Sequence, residues 1–228
     1  MSKPVTEEQI RLALPTPAKI FTRGVIGLLA LLIVGFILTN YASDFSAKHL
    51  ALHPRDVVHG RVWQLVTYWL INPNSWILLF AMTVLLFMAS AVEREWGTRS
   101  FLGLWLTAVV GCGVIWTVVM LVLGKEYVGA QSDAGSYAVI AAFGLLFRRK
   151  RFFYILWTIE AQVIALLLIG VGVILSIPNP LFLIWVLGAG LGWLYVKVLW
   201  RQQHGRPHWP APRKVVQGPF IEIDDTDE

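Results

Sequence analysis

One hydroxyl carries the most chemical promise in this 228-residue chain. Ser136 lies near the start of a short apolar run, Gly129 to Arg151, with Ala134, Gly135 and Ala138 beside it and four cations, Arg148-Arg149-Lys150-Arg151, at the far end. A serine hydroxyl attacks a carbonyl only after a neighbouring base takes its proton. All five histidines (His49, His53, His59, His204, His208) fall outside the apolar segments. His59 falls on the same predicted side of the membrane as Ser136 and is the histidine placed to be a displaced base, although a solvated loop histidine is the plainer reading. The plainer reading of Ser136 is a small polar residue at a helix crossing, bonded to a carbonyl one turn earlier. Glu160 falls inside a predicted span, near Gln162. Intramembrane carboxylates are costly and mark functional positions by default, whether for client contact or for accepting a proton. A satisfied structural hydrogen bond is the competing explanation. Glu93 and Arg94 read as a structural pair at the end of a span. The cationic cluster could hold anionic lipid, but topology already accounts for it.

These residues need a scaffold, and composition says which kind. With 57% hydrophobic and 14% charged residues, the chain departs from soluble domains, which run near 45–50% and 25%. The excess is gathered into blocks, as in a polytopic membrane protein. The net charge of +5 sits at the ends of apolar segments and does not argue for nucleic acid. The single cysteine, Cys112, excludes a disulfide framework within one chain. No metal spacing, phosphate loop or nucleic-acid module is present, and no cofactor is expected.

Six apolar spans are predicted: Val25–Tyr41, Trp76–Val92, Phe101–Leu123, Ser132–Phe147, Phe152–Ile177 and Leu181–Trp200. The fold class is thus an all-α membrane protein. Residues 1–24 read as a cytoplasmic leader in which Thr6 and Gln9 form a capping box opening a short helix. Residues 25–200 form the membrane domain, and 201–228 an acidic, disordered C-terminal tail. Ala42–Pro73 is a long structured first loop, with Trp63, Tyr68 and Trp69 expected at the membrane interface. The fourth span is short: sixteen residues reach roughly 24 Å as a helix, against about 30 Å of hydrocarbon. It either sits wholly inside the bundle or ends beneath a cavity. With six spans both termini share a side, and that side holds all of the 19 Lys+Arg residues except Lys48, Arg55, Arg61 and Lys125. The positive-inside bias then makes both termini cytoplasmic, in a plasma or inner membrane.

Several motifs in this order resemble the rhomboid intramembrane serine proteases over roughly residues 25–200. Trp63-Gln64-Leu65-Val66-Thr67-Tyr68 is similar to the family's W-R-L-x-T-x. Glu93 through Phe101 follows its E-x-x-x-G-x-x-x-F, Ser136 precedes Gly144 by eight residues, and Gly188 and Gly192 match its glycine pair. The resemblance implies a six-transmembrane-helix rhomboid-like bundle with a nucleophile on the fourth span, a histidine base on the sixth, and oxyanion residues on the second. Here Ser136 occupies the nucleophile's place, Trp185 the base's, and Trp76 and Phe80 those of the family's H-x-x-x-N.

Those replacements remove the chemistry. Indole offers an N–H donor and cannot accept a proton. Phe80 cannot donate to an oxyanion, and losing one such donor costs about 10²–10³ in rate. The resemblance therefore implies a pseudoprotease with Ser136 as a remnant. It would bind transmembrane segments of client proteins in a groove of Trp76, Phe80, Tyr137, Glu160 and Trp185 within the lipid bilayer, without nucleic acid. Two other readings stay open: an active intramembrane endopeptidase using Ser136, and a small transporter or channel centred on Glu160.

Overall fold

The computed structural model describes residues 21–125, 128–130, 132–147, 151–154, 157–176 and 183–199, with 151–154, 157–160, 175–176, 183 and 199 described by backbone alone. The leader's capping box, Arg148–Lys150, Pro178–Pro180, the acidic tail, His204 and His208 lie outside the described residues. The first long helix, α1 (Arg23–Tyr41), buries Val25, Leu28, Leu29, Leu32 and Gly35. This is one stripe at helical spacing. Ile26, Val34 and Ile37 stay about half exposed on the other side. That outer surface is apolar too, as lipid requires.

The first loop is folded rather than slack. It contains three short helices, α2 (Ser43–His49), α3 (Pro54–Val58) and α4 (Gln64–Thr67), then a 3-10 turn over Tyr68–Leu70. Its expected place at the interface needs correcting for two aromatics. Tyr68 is fully buried and Trp69 nearly so, while Trp63 remains 48% exposed. Tyr68 donates its hydroxyl to the Val109 carbonyl at 2.9 Å, and burial holds that hydroxyl protonated, its pKa well above the usual tyrosine value. Trp69 meets Trp105 edge-on at 5.5 Å. A ring whose polar tip finds a partner inside the bundle has no need of the interface.

The next helices are α5 (Ser75–Trp96), interrupted by a π-helical turn at Leu85–Ala89, and α6 (Thr98–Val122). The helix α5 continues past the expected end of the second span to Trp96, where Gly97, at φ +81°, lets the chain reverse into α6. Glu93 ties this corner to α1. Its carboxylate accepts from Gly24 N at 2.8 Å, Val25 N at 2.9 Å and Thr98 Oγ1 at 2.6 Å, and also from Thr22 Oγ1. Thr22 makes no side-chain cap of its own. The orphan N–H groups of α1 are thus met by an acid far along the chain. Three helix ends are joined through one side chain.

The helix α7 (Asp133–Leu146) is the axis of the bundle. Every residue from Asp133 to Gly144 is buried. Being apolar all round is what an encased helix requires. Small residues bring its neighbours close. A Cβ on Gly135 would stand 2.6 Å from the Trp105 ring of α6, and one on Gly144 would stand 2.5 Å from the Cβ of Ala165. Ala165 belongs to α8 (Ala161–Ser176). The last helix, α9 (Leu183–Leu194, continued by a π-helical turn over Tyr195–Leu199), meets α7 backbone to backbone. A Cβ on Gly188 or Gly192 would lie 2.5 Å from the carbonyl oxygen of Ala134 or Ala138, respectively. This is small-residue packing of the kind that draws helices together in lipid.

The fifth span starts later than expected. Arg151–Tyr154 (β1) and Trp157–Glu160 (β2) pair as an antiparallel hairpin, with Arg151 opposite Glu160. The stretch is rich in Phe, Tyr, Trp, Thr and Ile, which suit a pleated strand. Glu160 accordingly ends a strand instead of lying within a helix. Among the described residues, three helices are long and apolar enough to cross a membrane: α1, α5 and α6. Three shorter apolar helices complete the bundle, over Asp133–Leu146, Ala161–Ile174 and Ile184–Val198.

Candidate functional site

The site forms where the first loop, α7 and α9 meet. Asn72 closes the loop and caps α7, its Oδ1 accepting from Ser132 N at 3.2 Å and from Ser132 Oγ at 3.0 Å. Its Nδ2 donates back to the Trp69 carbonyl at 3.2 Å. The first turn of α7 then presents Asp133, Ser136 and Tyr137 at offsets of three and four residues, so all three share one face.

Ser136 is fully buried. Its Oγ donates to the Ser132 carbonyl at 3.3 Å, the same oxygen that receives its backbone N–H. The hydroxyl is therefore turned along its own helix. The described histidines are occupied elsewhere: His53 Nε2 bonds the Ala47 carbonyl, His59 Nδ1 bonds the Arg55 carbonyl, and His49 packs on Phe45. Among the described residues no imidazole bonds Ser136.

The polar pair at the site is Asp133 with Trp185. The indole Nε1–H donates to Asp133 Oδ2 at 2.7 Å, and the other carboxylate oxygen, Oδ1, is buried without a hydrogen-bond partner. Trp185 lies flat on Tyr137 (5.1 Å between rings, 16° between planes), and Tyr137 meets Phe80 at 6.1 Å. Gly172 of α8 leaves room for this stack, since a Cβ there would stand 3.1 Å from Tyr137 and 3.4 Å from Trp185. Position 133 sits at a helix N-terminus, where a negative charge is favoured by the aligned peptide dipoles.

The sequence-derived residues fall into two groups. Phe80, Tyr137 and Trp185 come together, with Ser136 on the adjacent turn. Trp76 does not join them: its ring is 79% exposed at the start of α5. Glu160 lies at the base of the hairpin, and only its backbone is described. Asp133 was passed over because an acid opening a helix reads as an ordinary first-turn residue. The signal that could have found it is the donor facing it, an indole at a position where a histidine was expected.

The arrangement can hold, stack and hydrogen-bond, and among the described residues the acceptor bonded to Ser136 Oγ is the Ser132 carbonyl. No curated protein matches the chain. Residues 23–209, nearly the whole described bundle, match a family of eukaryotic integral membrane proteins. On the strength of that match the chain belongs to the family described as Eukaryotic integral membrane protein (DUF1751).

Proposed function

We propose that this protein is a rhomboid-like, six-span membrane protein that binds transmembrane segments of other proteins without cleaving them. The observation that carries the reading is the pair of hydrogen bonds at the site. Ser136 gives its proton to the Ser132 carbonyl, and Trp185, where a base would stand, gives its own to Asp133. A nucleophile and a base would be donor and acceptor to each other; here both are donors, each to a third group. Six apolar helices support the span count, the three shorter ones being drawn in by glycine contacts. The positive-inside bias supports cytoplasmic termini.

The groove would be aromatic. Trp76 and Phe80 lie one turn apart on α5, so the exposed Trp76 ring extends outward the surface that Phe80, Tyr137 and Trp185 begin. Aromatic faces bury large areas with little loss of side-chain entropy, which favours retaining a helix over hydrating it. The test places a photoreactive benzophenone amino acid at position 185 in the full-length chain within its membrane. Adducts whose sequenced peptides map to transmembrane segments of other proteins are expected. Adducts with lipid alone would end the client-binding reading. Labelling of Ser136 by a fluorophosphonate, abolished in Ser136→Ala, would replace it with an active protease.

A further inference from the structure

Among the described residues, β1 and β2 form a two-stranded sheet with no third strand on either outer edge. An isolated two-stranded hairpin is marginal in water, and three strands are the usual minimum. An open edge is also a template for a further strand, and it has no place in hydrocarbon. The hairpin calls for a partner.

The chain itself returns to this end of the bundle. Gly188 of α9 lies against Ala134 and Gly192 against Ala138, so α9 runs in the same direction as α7. Gly144, near the end of α7, meets Ala165, near the start of α8. The end of α9 therefore lies where the hairpin joins α7 to α8. Residues 200–228 follow from there. The stretch from Trp200 to Phe220 reaches roughly 70 Å when extended. Three helices side by side span about 30 Å, so reach is ample.

One part of that tail has the composition of a strand. Pro219-Phe220-Ile221-Glu222-Ile223-Asp224 comes after Gly218 and carries aromatic and β-branched residues. Proline is tolerated at the first residue of a strand. Glu222, Asp224, Asp225, Asp227 and Glu228 make its far end acidic. β1 begins with Arg151, directly after Arg148-Arg149-Lys150. Charge then selects both edge and direction. Antiparallel to β1, the acidic end of the tail lies at the basic end of the strand. Parallel to β1 it would lie at Tyr154, antiparallel to β2 at Trp157, and parallel to β2 beside the like charge of Glu160.

We propose that the outer edge of β1 is a strand-accepting site occupied by residues 219–224 of the same chain, paired antiparallel with Ile223 opposite Phe152. Backbone N–H and C=O groups supply the contact, as when a peptide adds to a sheet edge. The acids that follow bring negative charge to the basic run, so the tail competes with anionic lipid for it.

Hydrogen exchange read by mass spectrometry on the full-length protein tests the edge. Glu222→Pro with Ile223→Pro removes two ladder donors outside the membrane helices. Exchange across residues 151–154 should quicken by about five-fold, the worth of one backbone hydrogen bond per edge amide. Unchanged exchange overturns the proposal. Disulfide trapping tests register and occupant, and the buried Cys112 can stay in place. Under mild oxidation Phe152→Cys with Ile223→Cys should close within one chain about ten-fold faster than Phe152→Cys with Glu222→Cys, because a one-residue offset turns the side chain to the opposite face. Equal rates mean a tail that passes without pairing, and overturn the proposal. Closure between two chains in place of one gives the edge to a second copy and overturns it as well.

Discussion

Among the described residues two carboxylates are buried, and their surroundings differ sharply. Glu93 is 3% exposed and Asp133 is 1% exposed. Glu93 accepts from two backbone N–H groups and two hydroxyls, so both oxygens are doubly met. Asp133 has one indole donor on one oxygen and none on the other. A buried charge is tolerable when its lone pairs are satisfied and costly when they are not. The two ends of the bundle thus keep an acid for different reasons. At the Glu93 end it completes the architecture, joining α1, α5 and α6. At the Asp133 end the acid exceeds what the architecture needs, and a buried polar atom left without a partner marks a candidate site.

Replacing each acid by its amide separates these roles by sign. Glu93→Gln puts an NH₂ group against donors that need acceptors. Thermal or denaturant unfolding in detergent, followed by tryptophan fluorescence, should show a loss of about 3 kcal/mol, in line with charge-assisted bonds inside a network. Asp133→Asn keeps an oxygen for Trp185 and replaces only the oxygen that has no partner. The same measurement should show stability unchanged or raised by up to about 1 kcal/mol. The functional readout should move the other way, with photocrosslinking from a benzophenone at position 80, which leaves Trp185 in place, altered by Asp133→Asn in a protein that remains folded. If the Asp133 variant unfolds as readily as the Glu93 variant, both acids are structural and the distinction collapses.

Legibility from sequence followed the same divide. The long helices α1, α5 and α6 were placed within a few residues, because a helix with packing on one face and lipid on the other is apolar all round and leaves an unbroken hydrophobic run. The Gly188/Gly192 pair was recognisable as a close crossing, and α7 as too short to span alone. Harder to see was the hairpin at 151–160, an apolar aromatic run that hydropathy does not distinguish from the start of a helix. That run also put Glu160 within a helix, whereas it ends a strand, and it drew notice away from Asp133. The Glu93 motif was read as a local tie, whereas its partners Thr22, Gly24 and Val25 lie some seventy residues away in sequence. Long-range hydrogen bonds of this kind leave no periodicity to read. Tyr68 and Trp69 show the same limit: an amphipathic ring looks alike whether its polar tip meets water or the carbonyl of Val109.

The smallest effect expected is at Ser136, the residue with which the chemistry began. Its Oγ bond to the Ser132 carbonyl is long, at 3.3 Å, and that carbonyl keeps the Ser136 backbone N–H whether or not the hydroxyl is there. Back-bonding of this type stabilises a helix little and tends to bend it. Alanine fills nearly the same volume, and alanines already flank the position at 134 and 138. Ser136→Ala should therefore change unfolding stability by no more than about 0.5 kcal/mol, as one weak neutral hydrogen bond warrants. It should also leave crosslinking from position 185 at the wild-type level. Were crosslinking to fall while the melting temperature held, the hydroxyl would be touching the client, and the site would extend from the Asp133–Trp185 pair one turn further along α7.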